Sequence, residues 1–142
     1  MRCAALFLLA WSALGTAAEA ADLGVALRGL RNTRGLVHVC LTRDSAHFPD
    51  CAGDPQAIRR TLPAAQAAQF DIANVAPGNY ALSVIHDENG NGRLDTFMAI
   101  PREGFGFSRN PGIRMGPPRF AETVFAIAGA RATMIVTMKY ML

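Results

Sequence analysis

Of the 142 residues only three are cysteine, and none falls in a Cys-x-x-Cys pair. That spacing is what a redox-active dithiol prefers, so the composition argues against an oxidoreductase of that type. Charge is also scarce: Asp, Glu, Lys and Arg together make up 18% of the chain, with a formal net charge of +3. Half the residues are hydrophobic, which excludes a disordered chain, and so mild a positive balance does not suggest a nucleic-acid binder. After the first twenty residues no apolar run is long enough to span a bilayer, so no transmembrane segment is expected in the mature chain. No nucleophile-elbow motif surrounds Ser83 or Ser108, and His38, Cys40, His47 and His86 show no recognised zinc spacing.

Among what is present, the first stretch reads as an export signal. Arg2 supplies the charged start, Cys3 to Leu14 the apolar run, and Ala18-Glu19-Ala20 a small-residue cleavage site, so residues 1–20 are expected to be removed. Cys3 stands at the head of the apolar run rather than just after it, which disfavours a lipoprotein. The mature chain of about 120 residues, 21–142, is then one domain by size, located in the periplasm or secreted. Removing Arg2 and Glu19 leaves the net charge as it was. In an oxidising compartment Cys40 and Cys51 are expected to form a disulfide that pins the intervening loop against the strand ending near Cys40.

Period-two alternation dominates the mature chain. Leu23, Val25 and Leu27 share one face of a first strand; Val37, Val39 and Leu41 share one face of a second, over Leu36 to Thr42. The Asn32 to Gly35 turn between them predicts a hairpin. Ala57 to Leu62 and Gln69 to Val75 are further candidate strands, with Ala64 to Ala68 either a helical turn or a linker. After the Ala76-Pro77-Gly78-Asn79 turn, Tyr80, Leu82, Val84 and His86 share a face of the next strand. Thr123, Phe125 and Ile127 alternate in another, and Met134, Val136, Met138 and Tyr140 in the last. Six or seven short strands without a convincing helix predict an antiparallel β-sandwich of immunoglobulin-like or transthyretin-like type. One long Gly/Pro-rich loop, Ala99 to Arg119, has four glycines, four prolines and no periodic apolar pattern; it is expected to fold back beside the loop that follows Tyr80 to His86.

That following loop, Asp87-Glu88-Asn89-Gly90-Asn91-Gly92-Arg93-Leu94-Asp95, carries the strongest chemical signal. Asp87, Asn89 and Asn91 stand at every second position, Gly92 follows, the Arg93 carbonyl falls at position seven and Asp95 at nine, the spacing by which one loop wraps oxygens around calcium. Position twelve is Met98, so the bidentate carboxylate of an EF-hand is missing, and the flanks do not read as helices. Glu103 supplies a further ligand if the long loop folds back. The competing reading is a tight turn, because Asn, Asp and Gly also favour turns through positive φ and side-chain to backbone bonds.

Three ordered motifs in this chain, His86-Asp87-Glu88-Asn89-Gly90-Asn91-Gly92-Arg93-Leu94-Asp95-Thr96, Ile100-Pro101-Arg102-Glu103-Gly104-Phe105-Gly106-Phe107-Ser108 and Gly116-Pro117-Pro118-Arg119-Phe120, resemble the bacterial exported family DUF2141 across roughly half the mature chain. The resemblance implies a small exported β-rich domain and brings no catalytic residues with it.

In the long loop Arg102, Arg109, Arg114 and Arg119 stand against Glu103 alone, interleaved with Phe105, Phe107 and Phe120. Arginine with aromatics suits a protein partner, an acidic glycan or an anionic surface, so Arg102, Phe105, Phe107, Arg109 and Arg114 are the candidate ligand-binding residues. The bland reading is that the arginines keep the loop soluble while the phenylalanines cap the core. The function expected is a non-enzymatic binding or accessory module with calcium as its candidate cofactor. The alternative is a small periplasmic hydrolase using His86 with Asp87, Glu88 or Glu103. A third possibility is a surface-assembly subunit pairing through a strand edge such as Met138 to Leu142.

Overall fold

The computed structural model describes residues 19–142. The expected cleavage signal over residues 1–20 therefore lies, apart from its last two residues, outside the described residues.

The alternating stretches form strands. They are β1 (Ala21–Arg28), β2 (Leu36–Thr42), β3 (Ile58–Pro63), β4 (Gln69–Val75), β5 (Gly78–Asp87), β6 (Thr96–Phe97), β7 (Ile100–Pro101), β8 (Gly104–Phe107), β9 (Phe125–Ile127) and β10 (Arg131–Thr137). A single 3-10 turn at Ala64–Gln66 joins β3 to β4, and one turn of helix, α1 (Phe120–Thr123), precedes β9. Thr123, expected in a strand, belongs to that turn.

One sheet has the order β10-β1-β4 and the other β3-β2-β5-β8, with β9 pairing the start of β5 on the edge that β8 occupies further along. The two inner faces meet in one buried cluster: Leu23, Val25, Leu27, Ile72 and Val136 from the first sheet, Val37, Val39, Leu41, Leu82 and Val84 from the second. The all-β, sandwich-like fold predicted by the period-two pattern is thus what the chain adopts. Every strand pairing is antiparallel except β1 with β10, which is parallel.

Two expectations need correction. β1 and β2 do not form a hairpin: β1 pairs with β10 and β4, while β2 pairs with β3 and β5, so the Gly29 to Gly35 connection crosses from one sheet to the other. Period two fixes which face of a strand is buried but not which neighbour it pairs with.

The stretch from Ala99 to Arg119 is also not all loop. Gly104–Phe107 is a strand, buried along its length and paired with Ser83 to His86 of β5. Its pattern escapes an apolar scan because one face is glycine: a Cβ on Gly104 would overlap the Tyr140 ring, and one on Gly106 would press into Val136. Phe105 and Phe107 take the other face and are buried, Phe107 with its ring centroid 5.8 Å from Phe48. Phe48 itself is carried on the loop closed by the Cys40–Cys51 disulfide, whose Cα atoms lie 5.8 Å apart, within the range a bridge requires. The disulfide loop therefore covers the outer face of the larger sheet, and the Ser83 hydroxyl fastens it by donating to the Pro49 carbonyl.

Closing an eleven-residue separation constrains the unfolded chain. The Cys40→Ala/Cys51→Ala double variant is expected to lose about 2 to 3 kcal/mol of unfolding free energy in urea titrations. An unchanged midpoint would mean the bridge does not hold this loop.

Candidate functional site

β5 ends on Asp87, whose side chain is fully buried, and the chain then reverses around its carboxylate. Oδ1 accepts from the backbone N–H of Gly90 at 2.8 Å and Asn91 at 3.1 Å. Oδ2 accepts from the Gly92 N–H at 2.7 Å and from Nε2 of His38 at 3.0 Å. A carboxylate offers about four lone-pair directions, and all of Asp87's are in use. Burial opposes its charge, but the bonds from His38, Gly92, Asn91 and Gly90 outweigh that opposition and hold its pKa below the ordinary value.

His38 reaches Asp87 from the adjacent strand β2, with its other ring nitrogen 3.0 Å from the Thr61 hydroxyl on β3. Because the Asp87 carboxylate can only accept, Nε2 is the donor of this pair, and the Thr61 hydroxyl can either donate to or accept from Nδ1.

A second carboxylate locks the far side. Glu103, also buried, accepts from the Glu88 N–H at 2.9 Å and the Asp95 N–H at 3.0 Å, one oxygen each, so it does fold back onto the loop as its position suggested. The two backbone amides it binds flank the whole Asn89 to Leu94 excursion. Inside that excursion Asn89 and Asn91 accept from the N–H groups of Asn91 and Arg93 through their side-chain oxygens. Their amide nitrogens donate to Asp95 at 2.6 and 2.9 Å. Those two donations are the leading cause of the lowered Asp95 pKa, and the Arg93 side chain adds a 3.5 Å contact.

Behind the loop, His86 is fully buried. Its Nε2–H donates to the Arg34 carbonyl at 2.8 Å, which leaves Nδ1 to accept from the Tyr140 hydroxyl at 2.7 Å. Arg31 lies over the Tyr140 ring, 4.4 Å from its centroid, and pairs with Glu88 at 2.6 Å. Burial opposes the Glu88 charge, yet bonds from Asn32 and Arg31 bring its pKa down. Gly35 passes so close that a Cβ there would overlap the Asp87 carbonyl, which is why the crossing connection needs glycine at this point.

The candidate cation ligands Asp87, Asn89, Asn91, Arg93, Asp95 and Glu103 are therefore brought together, but their oxygens are largely engaged with N–H donors of the protein. Among the described residues no three His, Cys, Asp or Glu gather as a metal-holding group. The candidate ligand-binding set divides. Arg102 and Arg114 are exposed, and the exposed Arg109 donates to the Val124 carbonyl at 3.3 Å, whereas Phe105 and Phe107 are buried on the outer face of the larger sheet, Phe107 against Phe48 of the disulfide loop, rather than free for contact, the correction that the glycine-faced strand imposes. His38, Arg31, Asn32 and Tyr140 are partners that sequence reasoning missed. His38 enters the sequence only as a residue without a zinc spacing, on the opposite parity to Val37 and Val39, and its link to Asp87 depends on the pairing of β2 with β5.

A family model described as "Uncharacterized protein conserved in bacteria (DUF2141)" matches residues 25–135, so it takes in strands of both sheets and the loop from Asp87 to Glu103. No curated protein and no solved structure matches the chain.

Because the Asp87, Glu88 and Asp95 pKa values are lowered on folding, they contribute stability that is fully present above the unfolded carboxylate values and is lost as pH falls through the folded ones. Urea unfolding is expected to show a plateau above about pH 5 and a decline below it. Replacing the buried acceptor in Asp87→Asn should cost about 2 to 3 kcal/mol at neutral pH and flatten the acid decline. A variant as stable as wild type at pH 7 would contradict the bonding described.

Proposed function

The chain belongs to the DUF2141 family, and from that premise together with the hydrogen-bonded loop we propose that it is an exported, non-enzymatic binding or accessory module of the periplasm or cell surface. In this reading Asp87 and Glu103 form a clasp that fixes the chain between β5 and β8, and recognition belongs to the surface that the clasp holds in place. The observation that carries it is the complete use of the Asp87 carboxylate by three backbone amides and His38. A group whose every lone pair is committed in the resting fold positions its neighbours; it does not wait for a substrate.

The same accounting weighs against the hydrolase. His86 has both ring nitrogens engaged and no exposure, Glu103 spends its oxygens on backbone amides, and the lowered pKa values of Asp87 and Glu88 keep both ionised at neutral pH, where a general acid needs a raised one.

Calcium is the second reading, favoured by the convergence of Asn89 and Asn91 on the Asp95 carboxylate. An ion there would take the side-chain oxygens of Asn89, Asn91 and Asp95 with the Arg93 carbonyl. It would gain Asp87 only by displacing one of that residue's four donors. A site with so few free carboxylates belongs to the weak, millimolar class.

Thermal melts with several millimolar calcium and with chelator separate the two. A self-sufficient clasp gives superimposable curves. A calcium site raises the midpoint with the ion, since a ligand of the folded state alone must stabilise it, and Asp95→Asn then abolishes the rise.

A further inference from the structure

Beyond the clasp the chain makes a two-stranded excursion that the reading above leaves without a task. β6 pairs with β7, Thr96 opposite Pro101 and Phe97 opposite Ile100, and the Arg102 N–H donates to the Asp95 carbonyl at 2.9 Å, carrying the pairing one step further down. Glu103 follows at the base and holds the Asp95 N–H, so both ends of the hairpin are pinned.

The tip of this pinned hairpin is a run of four exposed apolar residues, Phe97-Met98-Ala99-Ile100, with Phe97 58% exposed, Met98 82% and Ile100 40%. Such a run in solvent is a liability unless it has a use. The turn chemistry sharpens the point. Met98 and Ala99 have φ of 50° and 63°, the left-handed region at both central positions of a two-residue hairpin, where Asn-Gly is favoured and side chains with a Cβ are strained. The chain keeps a long apolar side chain at a position whose backbone asks for glycine or asparagine.

We infer that this hairpin is a membrane-contact element, its apolar tip entering the interfacial layer of an anionic phospholipid surface; the inference rests on the proposal that the clasp is a mount for binding. Charge gives the sign of the surface. Alternation places Asp95, Phe97, Ile100 and Arg102 on one side of the hairpin. Asp95 is occupied by Asn89, Asn91 and Arg93, and the deeper carboxylates Asp87 and Glu103 are buried and turned inward. With Arg93 spent on Asp95, the charge left facing outward at the foot of the tip is the exposed guanidinium group of Arg102.

Size gives the kind of partner. A hairpin with two residues in each strand cannot approach the roughly 800 Å² per partner of a specific protein interface. An apolar wedge beside a cation suits, by contrast, weak reversible attachment to an anionic bilayer, where side-chain burial and headgroup attraction add.

The test is co-sedimentation of the purified protein with vesicles of phosphatidylglycerol and phosphatidylcholine mixed, and of phosphatidylcholine alone. Binding to the anionic vesicles should exceed that to the neutral ones by about tenfold and weaken as salt is raised. The Met98→Asn/Ala99→Gly double variant installs the favoured turn chemistry, so it should melt at or above the wild-type midpoint while losing about tenfold in vesicle binding. Arg102→Gln should reduce the preference for anionic vesicles. Absence of binding to either vesicle, or binding that the double variant leaves intact, overturns the inference. So does self-association without vesicles that the double variant abolishes, which would make a second copy the partner. A wild type that melts normally and ignores vesicles removes the membrane contact alone; the mounted-module reading falls separately, if Asp87→Asn and Glu103→Gln leave stability unchanged.

Discussion

A fully buried carboxylate is tolerable only if its charge is answered, and at Asp87 the answer comes from three consecutive backbone amides and one imidazole. Because the donors are backbone groups of residues 90 to 92, answering the charge and shaping the loop are the same event. The path of the chain after β5 follows from it. Glu103 repeats the device from the other direction, and between them the two residues convert a long, glycine-rich excursion into a fixed piece of the molecule.

The sandwich supplies what this arrangement needs. β5 is the central strand of the larger sheet, paired on one side by β2 and on the other by β8 and β9, so the position of Asp87 is set by neighbours on both flanks. β2 brings His38 and β8 follows directly on Glu103. The C-terminal segment adds Tyr140, which presses on Gly104 and binds His86, and Arg31 ties that segment to Glu88 through its guanidinium group. Hydrophobic burial assembles the two sheets, and a small set of polar contacts at one end determines what they present. At that end stands the apolar hairpin, with Phe97 and Met98 exposed at its tip and its base tied by Glu103 and the Asp95 carbonyl.

How much of this was legible in the sequence follows the physics of each signal. Inward faces of β1, β2, β5 and β10 were readable because a half-buried strand must alternate. Strand neighbours were not, since alternation is silent about pairing, and the expected β1–β2 hairpin failed for that reason. β8 was hidden because glycine faces the core wherever another side chain already fills the space. In the Asp87 to Asp95 loop the residue types and spacing were plain, and the return of Glu103 was foreseeable from its place in the long segment. What the oxygens bind was not, because the same oxygen spacing serves a cation or a row of backbone amides. His38 was hidden behind the β2–β5 register, which no local pattern encodes.

The most direct test of the account is residue-resolved amide hydrogen exchange at Gly90, Asn91 and Gly92, in wild type and in Asp87→Ala. These amides lie in a glycine-rich excursion outside any strand ladder and share the Asp87 carboxylate as acceptor, and the one further bond, from Asn91 to the Asn89 side chain, lies inside the loop that this carboxylate shapes. The account predicts slow exchange at all three in the wild type and its joint loss in the variant, with the amides of β2 and β4 still protected. Fast exchange at these positions in the wild type, or protection that survives removal of the carboxylate, would contradict it.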